Sequence, residues 1–315
     1  MMKKLTVLLF TLLAFIVNNG VALAQDNADT EKRRPAPIER THAVEDYLPI
    51  LGKQMRAQGM RPPKPFFVSA IYYHMQIPQN ITNARGWGFA PFQEEKDAIP
   101  VGMYNAKVET NSVGFRAGFN LLPFMSIFGV YMHTEGKSKF TAVADGNQAM
   151  PNGYKLDNQV NPFSADTGAI GAALSYGFRL GRVVPFAVIN GNYAWTSTDK
   201  TDNIIQTLIV GARVGVNVPL PRDMKVAFMV GTQYTYMPMG NQVQGSYTVE
   251  LPPNTLKNQE KPYKITSKYK ADAEYASPWT FNAGVLYSVN RYFDILAEVG
   301  FLTRLTAMVT LQANF

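Results

Sequence analysis

The sequence predicts an all-β fold: a transmembrane, antiparallel, up-and-down β-barrel of about ten strands, preceded by a short N-terminal periplasmic segment. Three observations carry this expectation. Apolar and polar residues alternate with period two in segment after segment from about residue 64 to Phe315. A secretory leader stands in front of them. Aromatic residues gather at the two ends of the apolar faces and leave the middle to Val, Leu, Ile and Ala.

Composition narrows the alternatives. The chain has 315 residues, 46% hydrophobic and 12% aromatic, which excludes disorder over most of its length. Charged residues make up 17%, below the roughly 25% of a typical soluble domain. There is no cysteine, so disulfides, thiolate metal sites, a cysteine nucleophile and a lipidated N-terminal cysteine are excluded. Three histidines, His42, His74 and His133, leave little for a metal site, and no metal or cofactor is expected. The formal charge of +7 could point to nucleic acid, but no basic run or recognition motif supports it.

Residues 1–24 read as a signal peptide. Lys3 and Lys4 give a positive start, residues 5–17 form a short apolar stretch, and Ala22 and Ala24 supply small residues for cleavage. A membrane anchor would need a longer apolar run, and no later segment reaches 18 consecutive apolar residues. Residues 25–63 read as a periplasmic arm. Positions 26–40 are charged and contain prolines, while Val44, Tyr47, Leu48, Leu51 and Met55 follow helical spacing and predict a short helix interrupted at Pro49. Pro62, Pro63 and Pro65 close the segment. The alternative is a plug, or a periplasmic protein partner engaged through residues 40–60.

Residues 64–315 read as the barrel. The first strand lies near 65–77. Val113, Phe115, Ala117, Phe119 and Leu121 then alternate with Ser112, Gly114, Arg116, Gly118 and Asn120. A strand near 124–136 follows. Next, Ile170, Ala172, Leu174, Tyr176 and Phe178 alternate with mostly small residues, and a strand near 185–197 comes after them. Leu208 to Val216, Val226 to Tyr234, Trp279 to Tyr287, Phe293 to Phe301 and Leu305 to Phe315 complete the ten. Each runs about 9–13 residues, near the length that crosses a bilayer at a tilt. Short turns near 122–123, 180–182, 219–222 and 290–291 alternate with longer connections at about 78–108, 137–166 and 237–276, and two connections, near 198–203 and 302–304, are short but fall in the long-loop register. That asymmetry is expected of short periplasmic turns and long external loops.

With the short turns placed below, Tyr176, Phe178, Tyr287, Phe293 and Phe315 fall at the lower ends of the apolar faces. Tyr193, Trp195, Tyr234 and Trp279 fall at the upper ends. The last strand carries Val309, Leu311 and Phe315 on its apolar parity. It resembles the C-terminal signature of Gram-negative outer-membrane proteins, which implies that the barrel-insertion machinery reads it. Leu121-Leu122-Pro123-Phe124, Gly129-Val130-Tyr131 and Leu296-Ala297-Glu298-Val299-Gly300-Phe301 are similar to segments of uncharacterised outer-membrane barrels of proteobacteria. The resemblance covers about residues 105–315 and implies a porin-like fold in the bacterial outer membrane, with membrane lipid and lipopolysaccharide as its surroundings. It implies no activity.

The inward parity carries Arg116, Arg213 and Lys225 together with Asp294 and Glu298. In a narrow interior an unpaired charge is costly, so Glu298 is expected to meet an arginine, with Asp294 and Lys225 in the layer below. This cluster either holds the barrel closed or forms a cationic constriction. His74 and His133 fall in the upper parts of the first and third strands, so they could approach one another. The connection at 237–276, with Lys257, Lys261, Lys264, Lys268 and Lys270, reads as a solvated loop able to touch lipopolysaccharide phosphates. The expected function is therefore a non-catalytic outer-membrane barrel, structural or a narrow channel. The alternative is a lipid- or peptide-directed hydrolase acting through His74 or His133.

Overall fold

The structure is a computed structural model and describes residues 44, 47–57, 61–88, 94–145, 154–221, 223–237, 242–251, 253 and 261–315. The expected signal peptide and the charged arm at 26–40 lie outside the described residues. The strands are β1 (Phe66–Trp87), β2 (Ile99–Pro100), β3 (Gly102–Leu122), β4 (Met125–Ala144), β5 (Tyr154–Gly177), β6 (Val184–Thr198), β7 (Ile205–Pro219), β8 (Lys225–Tyr236), β9 (Gln242–Leu251), β10 (Tyr263–Tyr275), β11 (Trp279–Ser288), β12 (Phe293–Phe301) and β13 (Leu305–Asn314).

Ten of these close a ring, β1-β3-β4-β5-β6-β7-β8-β11-β12-β13, with every pair antiparallel. β13 returns to β1 in register from Phe67 opposite Asn314 to Gln76 opposite Leu305. Phe66 and Phe315 lock the seam by exchanging backbone hydrogen bonds of 2.9 Å in both directions. Closure leaves no strand edge within the ring, the condition for a sheet to cross a bilayer. The outward positions are apolar and exposed, among them Val113, Phe115, Ile170, Val214, Val230 and Val285. Among the described residues no helix is long and apolar enough to cross a membrane.

The predicted long connections are largely strand. β1 continues to Trp87, β3 begins at Gly102, β4 continues to Ala144 and β5 begins at Tyr154, while residues 237–276 contain the β9–β10 hairpin. Above the bilayer a strand needs no apolar outer face, so the period-two contrast fades while the hydrogen-bonded ladder goes on.

These extensions build a second, shorter enclosure on top of the ring. Where β13 ends, β10 replaces it beside β1, from Gln79 opposite Tyr275 to Trp87 opposite Lys268, and β9 pairs with β10. The outer edge of β9 meets the β6–β7 turn: the Asp202 N–H donates to the Gln244 carbonyl at 2.9 Å, and the Asn203 side-chain amide donates to the Gln242 carbonyl at 3.0 Å. Tyr269 adds a hydroxyl donated to the Lys200 carbonyl at 3.2 Å. The same turn is tied to β5, because the Asp199 N–H donates to Ser164 O at 3.1 Å and the Ser164 N–H donates to the Asp199 carboxylate at 2.9 Å. Gly245 on β9 lies so close to the Lys200 carbonyl that a Cβ there would strike it.

At the lower end, the helix predicted from Val44 to Met55 is confined to α1 (Gly52–Ala57). Leu51 adopts a left-handed backbone at φ 76°, which separates α1 from the turn before it. The Ile50 N–H donates to Leu121 O at the foot of β3 (2.8 Å), and Arg61 reaches Asp223 in the β7–β8 turn (3.7 Å). Lys64 sits over the Tyr292 ring in the β11–β12 turn, and its carbonyl accepts from the Asn120 side chain. Ile50, Arg61 and Lys64 therefore touch the lower rim at three separated points.

Candidate functional site

The interior is layered. In the middle layer, Arg213 of β7 and Glu298 of β12 meet in a two-pronged ion pair, Nε to Oε2 at 2.6 Å and Nη2 to Oε1 at 2.7 Å. These strands are three apart in the ring, so the side chains meet across the inside. Arg213 reaches over Gly231 of β8, its register partner, whose lack of a side chain leaves the path open. Asn190 of β6 accepts from Arg213 Nη1 at 2.7 Å, and Asn282 of β11 donates to Glu298 Oε1 at 2.9 Å. The Glu298 side chain is only 8% exposed and that of Arg213 15%, so the pair sits where an unmatched charge would be costly.

Arg116 of β3 does not bond to Glu298. Its Nη2 donates to Gln312 at 2.8 Å and more weakly to Ser69 at 3.4 Å, and its guanidinium lies between the Phe67 and Phe128 rings. From Gln312 the network runs downward. Gln312 donates to Asn314 at 2.8 Å, Asn314 donates to Asp294 at 2.7 Å, and the Ser288 hydroxyl also donates to Asp294. Lys225 stands opposite Ser288 in register but is exposed and, among the described residues, makes no ion pair. The five inward charges are thus one salt bridge, one arginine held by neutral groups, one aspartate held by neutral groups, and one lysine directed to solvent.

Arg304 was not anticipated from sequence. It comes from the β12–β13 turn and is 5% exposed. It donates to Thr235 Oγ1, Ser277 O and Pro278 O at 3.0–3.1 Å and lies 4.4 Å from the Tyr275 ring centroid. It ties three connections together beneath the upper enclosure. A turn residue carries no periodicity that would have flagged it. Asn190, Asn282, Gln312 and Asn314 were legible only as polar residues of inward parity.

Inside the upper enclosure is a cavity of about 510 Å³. Its apolar lining includes Ile81, Met103, Val108, Phe140, Phe163 and Ala273, and its neutral polar lining includes Gln79, Asn161, Thr248 and Thr266. The two charged lining residues, Asp199 and Lys200, pair with each other at 3.0 Å. Burial pushes the Asp199 carboxyl up, but the Ser164 N–H and Lys200 outweigh this and hold it below its usual range.

The histidines lie elsewhere. His74 Nδ1 is 2.9 Å from Asn111 Oδ1 and His133 Nδ1 is 2.9 Å from Asp166 Oδ1, both on the outward parity with exposed Tyr72, Val113 and Tyr131. The expected approach of the two rings does not occur: in register, His74 faces Asn111 and His133 faces Val113. Among the described residues neither imidazole bonds to a serine or threonine hydroxyl, and no group of three His, Asp or Glu is placed to hold a metal.

The aromatics predicted to rim the barrel project outward. Tyr193 and Trp195 have ring centroids 5.0 Å apart, and Tyr234 and Trp279 4.9 Å, at the upper level. Phe178 and Phe293 are exposed at the lower level, Tyr176 is half-buried there, and the Tyr287 hydroxyl bonds to Met224. Phe315 projects outward 6.1 Å from Phe66, in line with exposed Leu311 and Val309. Of the predicted lysine-rich loop, Lys257 lies outside the described residues, while Lys264, Lys268 and Lys270 sit on β10, Lys270 paired with Glu95 at 3.2 Å.

No protein-family model matches the chain, and no curated protein matches it. Among solved structures, the chain is similar to the β domain of the Bordetella autotransporter BrkA, at 11% identity and a TM-score of 0.38, over 79% of this chain and 99% of that one. It is also similar to the outer membrane protein OprG of Pseudomonas aeruginosa (9%, TM-score 0.34, 81% and 99% covered). An outer membrane channel of Pseudomonas putida F1 is similar as well (9%, TM-score 0.33, 81% and 96%). A closed antiparallel barrel with an apolar outside and aromatic rims is the architecture of bacterial outer-membrane proteins, and this chain has it by its own strand pairing.

Proposed function

We propose that the protein is a non-catalytic outer-membrane barrel that works as a narrow channel, held closed at mid-height by Arg213 and Glu298. The observation that carries this is the buried two-pronged pair, which bridges the interior from β7 to β12. A barrel needing only stability would do as well with packed apolar groups there, because a buried ion pair adds little net stability. An ion pair, unlike a packed core, can exchange partners and open a polar path.

The surroundings support the same reading. A chamber lies above the pair and a polar network below it. In this proposal residues 1–24 are removed on export, and the arm up to residue 63 stays in the periplasm, where residues 50–64 lean on the lower mouth. That contact favours a role at the mouth over one with a periplasmic partner. Phe315 serves the insertion machinery, and the outward Lys137 and Lys139 beside Glu109 face lipopolysaccharide. Catalysis through His74 or His133 has no comparable support, since both rings face outward and lack a hydroxyl partner.

Purified protein in planar bilayers tests this. The wild type should conduct poorly, and R213A/E298A, which removes both charges and most of both side chains, should open more often. Equal conductance of the two would show that the pair is not the barrier.

A further inference from the structure

We infer that the upper chamber is a binding site for a small, uncharged, mostly apolar molecule carrying one or two hydrogen-bonding groups. The chamber is walled by strands and by the seam between β9 and the β6–β7 turn, and its volume of about 510 Å³ falls in the roughly 300–1,000 Å³ range of small-molecule sites. Its walls bring together Phe140 from β4, Phe163 from β5, Ile81 from β1, Val108 from β3 and Ala273 from β10. Such a surface sheds water readily, and burying an apolar ligand against it gains about 25 cal/mol per Å².

The polar groups set the charge of the ligand. Gln79, Asn161, Thr248 and Thr266 offer neutral donors and acceptors. Asp199 and Lys200 satisfy each other, and Asp199 also accepts from the Ser164 N–H. An anion or cation binding against these walls would give up part of its hydration without meeting a free opposite charge among these groups, which is costly beside so much apolar surface. A sugar would leave most of its hydroxyls facing Phe, Ile, Val and Met. A bicyclic or monocyclic aromatic alcohol would bury its ring and keep one hydrogen bond. As the substrate class of the proposed channel this rests on that reading; as a binding site it is tested without it.

The test uses the full barrel in lipid nanodiscs, with 2-naphthol and its charged counterpart naphthalene-2-sulfonate as probes. Saturation-transfer NMR reads binding against empty nanodiscs. Ala273→Trp fills the chamber from β10, and Thr248→Trp fills it from the β9 hairpin, outside the ten-strand ring. The result expected is 2-naphthol binding to the wild type, weakened about tenfold or more by either substitution, with the sulfonate about tenfold weaker than the alcohol. Unchanged 2-naphthol affinity in Thr248→Trp protein that keeps its heat-modifiable gel mobility would overturn the site. Equal binding of the sulfonate would overturn the ligand class. Binding without any conductance in wild type or R213A/E298A would leave the site standing and remove the channel.

Discussion

Arg213 and Glu298 lie on strands three apart in the ring and still meet through two hydrogen bonds of 2.6 and 2.7 Å, over the gap left by Gly231. Asn190 and Asn282 hold the two ends of the pair. No local sequence relationship joins these residues; closure of the ring brings them together.

Glu298→Gln should therefore harm more than the double variant R213M/E298M. The single change leaves Arg213 buried beside a neutral amide, at a cost on the order of 3–5 kcal/mol. The double change removes both charges. Urea unfolding in lipid vesicles should rank wild type and double variant close together and the single variant well below them. In bilayers Glu298→Gln should shift any current toward anions.

Phe315→Ala, which keeps the backbone bonds to Phe66, should reduce the amount of barrel inserted in cells several-fold while changing the stability of the refolded protein little. The ring is exposed at the lower rim with Phe66 as its neighbour, so few interior contacts depend on it. Surface labelling in cells and refolding in vitro separate the two effects. Normal surface levels would count against a role in assembly.

Replacing His74 and His133 together by Ala should leave conductance, and any phenotype of the gene, unchanged. Both rings point outward, and among the described residues they bond to Asn111 and Asp166. Loss of function in a variant with a normal heat-modifiable gel shift would revive the hydrolase alternative.

Gly245→Val should open the upper seam without unfolding the ring. The new side chain would occupy the place of the Lys200 carbonyl, so β9 or the turn must move. Cleavage of the 242–275 hairpin by added protease should rise, while the thermal unfolding of the ten-strand barrel stays put. Protection of the hairpin equal to wild type would contradict the contact.

Acid should loosen the same seam. The Asp199 carboxyl is held below its usual value of 3.8, so the folded state favours its ionised form. That contribution is fully present above the unfolded value and is lost as pH falls through the lower, folded value. Hydrogen exchange of the 199–205 segment, corrected for its intrinsic pH dependence, should speed up as pH falls below about 4. Asp199→Asn should remove that dependence. A pH-independent wild type would contradict the assignment.

Much of the barrel was legible because lipid enforces a rule on sequence. Every outward residue within the bilayer must be apolar, and every inward one is free to be polar or small. Leu305 to Phe315 and Val113 to Leu121 show the resulting alternation without ambiguity. The upper parts of β1, β3, β4 and β5 were not legible, because water or protein on both faces imposes no such contrast. For the same reason the 237–276 hairpin read as a loop, although Tyr263–Tyr275 pairs with both β1 and β9.

The sequence by itself determined the fold class and the number of ring strands, since these depend on local period and length. Only the tertiary structure decided which inward charges meet. Parity and height place Arg116, Arg213 and Glu298 in one region, but closure with its register puts Arg213 on Glu298 and Arg116 on Gln312. It alone turned Arg304 inward and joined β9 to the β6–β7 turn to make a chamber. Those contacts join residues far apart in the chain, and their geometry is fixed by how the ring closes rather than by any pattern along a strand.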